Sequence, residues 1–117
     1  MTPQARSTHH LTRAGYMVGT LEHYNPFCRR AVDLWNFADL IAAKPGMPVM
    51  LVQTTTASNL SARRKKVLLN LCARKWVVEC KQEICLHSWA LRGKRGERKL
   101  WTCEAEWITG DMFKEAT

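Results

Sequence analysis

The sequence predicts an α/β domain, a mixed layer of helices on one main sheet. Three observations carry that expectation. Two apolar runs, FADLIAAK at 37–44 and VMLVQTTT at 49–56, are joined by the proline–glycine turn PGMP. Helical patterns lie before and after them. Two further strand patterns, ICLHSWALR and KLWTCEAEWI, flank the basic turn GKRGER near the end of the chain. At 117 residues the chain suffices for one core and is too short for two. We therefore expect a single domain over 1–110 and a frayed acidic tail over 111–117.

The elements follow in order. Thr2 caps a first helix and Pro3 starts it; Gly15 ends it after about Ala14. YMVGTLEH, 16–23, alternates as a strand does, and Asn25-Pro26 breaks it. Residues 26–36 read as a basic, aromatic connection. FADLIAAK is the second strand. VMLVQTTT is the third, β-branched and apolar enough for the centre of a sheet covered on both faces. Ser58 or Asn59 can cap the next helix, whose apolar side is Leu60, Val67, Leu68 and Leu71. It reaches about Glu79, as one helix or as a pair broken near Cys72. Strands over 84–92 and 99–108 then close a hairpin.

Composition narrows the function. Hydrophobic residues make up 46% and charged residues 24%, an ordinary globular balance. No apolar stretch approaches the ~20 residues that span a bilayer. The N-terminal MTPQARSTHHLTRAG has no apolar signal core, so a cytoplasmic location and no membrane partner are expected. The net charge is +8, and 17 of the 18 bases lie in the first 103 residues, with 6 of the 10 acids. Such a body favours a polyanion. DNA is favoured over a lipid surface because no basic amphipathic helix with a bulky apolar face stands out. The five cysteines are odd in number and irregularly spaced, which suits reduced, packed thiols. Cys80, Cys85 and His87 sketch a zinc pattern that no second pair completes. A phosphate loop, G-x-S-x-G and H-E-x-x-H are all absent.

An acid inside an apolar run needs a partner, because burying a lone carboxylate is costly. Glu22 ends the first strand, Asp39 starts the second and Gln53 lies late in the third. If those strands are neighbours, the three side chains meet at one end of the sheet. Such oxygen donors suit Mg2+ or Mn2+, which can activate water and neutralise a phosphodiester. Arg63 and Lys66, three apart on the next helix, share a face and could hold a phosphate. Plainer roles exist for each. Asp39 could pair with Arg29 or Arg30, Glu22 could be a surface acid, Gln53 could satisfy a sheet edge, and RRKK could be a solvated face. His9, His10 and His23 suit the surface. The five tryptophans suit packing, although Trp35 and Trp89 adjoin basic segments.

The stretch from GYMVGTLEH through FADLIAAKPGMPVMLVQTTT to SARRKKV resembles the core of small PD-(D/E)xK nucleases. It is similar to short phage and prophage proteins related to Holliday-junction resolvases and VRR-NUC domains. The likeness covers roughly residues 10–92, and HSWALRGKRGERKLW resembles the closing hairpin. It implies a restriction-endonuclease-like αβββαβ core and Mg2+- or Mn2+-dependent cleavage of DNA, branched DNA included, by a possible homodimer. Position by position, Asp39 matches the metal-binding Asp, Gln53 stands where Glu or Asp belongs, Thr55 where Lys belongs, and Glu22 at an additional acid. Two of three motif positions thus depart from the pattern. Lys66, assisted by Arg63, is the candidate for the displaced lysine. Arg29, Arg30, Arg64, Lys65, Arg92, Lys94, Arg95, Arg98 and Lys99 would grip the backbone. Two rival readings are a catalytically inactive DNA-binding module on the same fold, and a basic protein that binds an acidic partner.

Overall fold

Five strands, Met17–Thr20, Leu40–Ala43, Met50–Thr56, Glu83–Arg92 and Leu100–Trp107, lie side by side in that order in one mixed sheet. The structure, a computed structural model, describes residues 1–116, with side chains described through Phe113. Helix α1 spans Pro3–Arg13, and Thr2 caps it by accepting the Ala5 N–H at 3.1 Å. Gly15 then turns the chain at φ +93°, a conformation glycine adopts without penalty. Strands β1 (Met17–Thr20), β4 (Leu40–Ala43) and β5 (Met50–Thr56) are antiparallel neighbours. A crossover through α2 (Leu60–Leu68) and α3 (Leu71–Arg74) brings β6 (Glu83–Arg92) parallel to β5. Strand β7 (Leu100–Trp107) returns antiparallel to β6.

Strand periodicity sorts the core into two halves. Leu51, Ile84 and Leu86 face α2 and α3 in a cluster with Phe37, Val67 and Ala73. Leu40, Ala42, Met50, Val52 and Cys85 face α1 and pack on its Leu11. Strand β5 is the covered central strand that its composition predicts.

Two expectations change, and a third is decided between its alternatives. The first strand ends at Thr20 rather than His23, because the Leu21 and Glu22 amides both turn onto the Asp39 carbonyl, at 2.8 and 3.3 Å. The supposed connection holds a two-stranded ribbon, β2 (His23–Asn25) with β3 (Arg30–Val32). Its turn is closed by Asn25 Oδ1, which accepts the Phe27 N–H at 2.9 Å. The helical stretch is the broken pair and not the single helix: the break comes before Leu71, where Asn70 Oδ1 caps α3 by accepting the Ala73 N–H at 3.0 Å, and a π-helical turn, Lys75–Glu79, follows.

The tail is not frayed at its start. Gly110–Ala116 forms a short 3-10 helix, and Phe113, 1% exposed, joins the α2-side core beside Ile108. Burying a phenylalanine is worth roughly 1.5–3 kcal/mol, enough to dock a short acidic segment. The side chains of 114–117, part of the same expectation, lie outside the described residues. Among the described residues no helix is long and apolar enough to cross a membrane.

Candidate metal and phosphate site

Asp39 directly precedes β4 and is 5% exposed. Its Oδ2 accepts three hydrogen bonds: from the Thr54 N–H at 2.8 Å, the Thr54 hydroxyl at 2.9 Å and Gln53 Nε2 at 3.0 Å. The register explains the meeting, since Leu40 faces Val52 on antiparallel strands and Asp39 falls beside Gln53 and Thr54. No arginine forms an ion pair with Asp39 among the described residues; the arginines that do pair are Arg64 with Glu106 and Arg92 with Glu104.

A second acid, Asp33, comes from an unexpected place. Leu34 and Ala38 exchange two backbone hydrogen bonds of 3.0 Å, and Trp35 and Asn36 turn the chain between them at φ +53° and +67°. Asp33 and Asp39 are the next residues outward, a non-hydrogen-bonded antiparallel pair, whose side chains approach closely. Glu22 arrives through the amides that bind the Asp39 carbonyl. Glu22, Asp33 and Asp39 thus bring their carboxylate oxygens within 4.8 Å of one another. Burial, above all, and the adjoining Asp33 push the Asp39 carboxyl up to about 7, against the opposing pull of the Thr54 hydrogen bonds.

These acids open into a cleft of about 550 Å³ that Gln53, Thr55, Arg63 and Lys66 also line. Gln53, 2% exposed, spends its amide N–H on Asp39, and its buried Oε1 has no hydrogen-bond partner among the described residues. A buried, unpaired carbonyl oxygen costs about 1–3 kcal/mol. Thr55, at the position where the resemblance expects lysine, is buried and carries no charge. The donor set fits a hard divalent cation: three carboxylates, one of them hard to ionise alone, beside an oxygen still seeking a partner.

The backbone-gripping candidates divide. Arg64 forms a two-pronged pair with Glu106, at 2.5 and 2.7 Å, and Arg92 meets Glu104 at 3.0 Å. Arg30 and Lys66 line a small hollow beside Asp33. Arg29 and Lys65 are exposed. Lys94, Arg95, Arg98 and Lys99 are exposed at the β6–β7 turn. Because β5 and β6 are parallel and pair through Thr56 and Trp89, that turn lies at the same end of the sheet as the acids.

The other tentative metal ligands have different surroundings. Cys85 sits in the α1-side core, and burial raises its thiol to about 12. His87 Nδ1 is 2.9 Å from the Ser7 hydroxyl, and burial followed by the nearby His10 holds it down to about 4. Asp33 is the site residue that sequence reasoning misses. Asn36, a residue that tolerates left-handed backbone, is the local signal for the turn that delivers it. No protein-family model, curated protein or solved structure matches this chain.

Proposed function

We propose that this protein is a divalent-metal-dependent DNA nuclease that hydrolyses phosphodiester bonds. One observation carries the reading: three carboxylates within 4.8 Å of one another share a cleft with Arg63 and Lys66. Acids that repel phosphate, set beside bases that attract it, make chemical sense when a cation joins them. The antiparallel β1–β4–β5 unit followed by a helical crossover to β6 is also the order expected of PD-(D/E)xK nucleases. Branched DNA and a dimer of the chain belong to the same reading.

In this scheme Glu22, Asp33 and Asp39 would hold Mg2+ or Mn2+, with Gln53 Oε1 available as a neutral donor. When bound, the cation supplies charge neutralisation for the phosphate and a lowered pKa for water. Gln53 and Thr54 hold the Asp39 carboxylate in place through three hydrogen bonds to one oxygen. Arg63 and Lys66 draw the phosphate into the cleft and stabilise its growing negative charge. Arg30 and the β6–β7 turn extend the positive surface along the strand.

Gln53 and Thr55, uncharged where the motif carries charge, favour a second reading: a DNA-binding module that no longer cuts. One experiment separates the two. Labelled four-way junction, flap, duplex and single-stranded DNA are incubated with Mg2+, Mn2+ or EDTA, beside Asp39→Ala. Metal-dependent products that the variant does not make support the nuclease. Tight binding without product in either metal supports the module.

A further inference from the structure

We infer that the opposite face of the sheet carries a second nucleic-acid subsite, a stacking cleft for unpaired bases built from Trp101, Arg6 and the outer side of α1. The inference rests on the nucleic-acid reading above for its polymer, but not on the cation or the acids.

The cleft encloses about 650 Å³, and Trp89 and Trp101 line it together with Arg6, His9, His10 and Arg13. Helix α1 supplies those four residues at i, i+3, i+4 and i+7, which is one helix face. Arg6 and Arg13 lie about 10 Å apart along the axis, at 1.5 Å per residue. Ser7 and Leu11, by contrast, are buried against the sheet.

Beneath α1 the wall is rigid. The Trp89 indole donates to the Ser7 hydroxyl at 2.8 Å, and the same hydroxyl meets His87 Nδ1 at 2.9 Å. The His10 ring contacts both His87 and Trp89 edge-on, with centroids 5.9 and 6.0 Å away. Trp101, one strand further out, is left open. Its ring is 44% exposed although the Arg6 guanidinium lies 4.1 Å over it. A tryptophan face steadied by one cation, with further bases alongside, suits a nucleobase and its phosphates.

Charge decides the occupant. Strand β7 alternates so that Glu104 and Glu106 face the α2 side, where Arg92 and Arg64 hold them. Trp101 and Cys103 face α1, and none of the residues lining this cleft is acidic. A second copy of a chain of net charge +8 would be repelled there; a polyanion would be attracted. The cleft also connects with the acids. Thr2 and Gln4 line the acidic cleft, and both line a smaller hollow with His9, which in turn lines the Trp101 cleft. A single strand leaving one cleft can follow α1 into the other.

The test is fluorescence anisotropy of labelled oligo(dT) and of a blunt duplex of equal length, on the full chain in EDTA at fixed salt. Trp101→Ala should weaken oligo(dT) binding about 5- to 100-fold, the range for losing one stacked base. Trp101→Phe, which keeps a stacking face, should stay within about threefold of the parent. Duplex binding should change less than oligo(dT) binding. Because the assay is run in EDTA and reads binding rather than cleavage, a failed nuclease reading would not touch this result. Unchanged oligo(dT) binding in Trp101→Ala would overturn the inference even if metal-dependent cleavage were established. An equal loss for duplex and single strand would overturn it too.

Discussion

The acidic cleft contains a buried titratable side chain and the tryptophan cleft rests on one, and the two settle its charge in opposite ways. His87 is held neutral, bonded to Ser7 and packed under His10. Asp39 is surrounded by donors that suit its charged form, yet Asp33 and Glu22 press against it. One is a satisfied wall with an open aromatic rim; the other is a charge problem left unsolved by the protein alone. The contrast teaches where to look for an ion. Burial by itself marks nothing, whereas burial with unrelieved like charge marks a candidate to be tested with a cation.

The sharpest way to break the comparison is to add the ion. Mn2+ should raise the melting temperature of the parent by several degrees, since occupancy at 100 times Kd is worth about 2.7 kcal/mol. Asp39→Ala should abolish both that shift and all metal-dependent cleavage. A parent protein whose melting curve ignores Mn2+ would leave the acidic cleft without its cation. Next in size is pH. Asp39 is raised from 3.8 to about 7, so the metal-free fold should lose stability as pH climbs through that window, by up to a few kcal/mol. His87 is lowered from 6.5 to about 4, so its contribution should be lost as pH falls through that window. Denaturant titrations of Asp39→Asn and His87→Gln against the parent would show two slopes of opposite sign; slopes of the same sign would erase the distinction.

Gln53→Ala tests whether the orphan oxygen and the amide that steadies Asp39 matter to the ion. We expect Mn2+ affinity to fall about 10- to 100-fold, as for other groups that orient a ligand, measured by calorimetry. The smallest effects separate free cations from engaged ones. Lys66→Met should weaken DNA binding and reduce its salt slope by about one. Arg64→Met, which removes a partly exposed pair with Glu106, should cost no more than about 1 kcal/mol of stability and leave the slope nearly unchanged. Equal salt slopes in the two variants would show that the Glu106 pairing does not withhold Arg64 from DNA.

Much of the architecture was readable from short stretches. Thr2-Pro3 starts α1, the apolar VMLVQTTT becomes the covered central strand, and the basic turn joins β6 to β7. The meeting of Asp39 with Gln53 was also readable, because a two-residue side-chain period and a tight turn nearly dictate the register. Asp33 was not. Its approach depends on two left-handed residues, one of them a tryptophan, closing a bridge between Leu34 and Ala38. The β2–β3 ribbon escaped for a related reason: strands of three residues with none buried leave no period to read. The start of the tail was misjudged because its few apolar residues follow no helix or strand period, while Phe113, with Met112 beside it, anchors the segment in the core.

By itself, the sequence determined the types of the main sheet strands and helices, the central strand and the basic character of the molecule, all set by neighbours in the chain. Tertiary structure alone decided which charges are free. Arg64 meets Glu106 across 42 positions, and Ser7 meets His87 across 80. It likewise decided that three acids share one cleft while Trp101 stays open on the other face. Periodicity and capping act within a few residues, but the fate of a charge depends on every group the fold brings within a few ångströms.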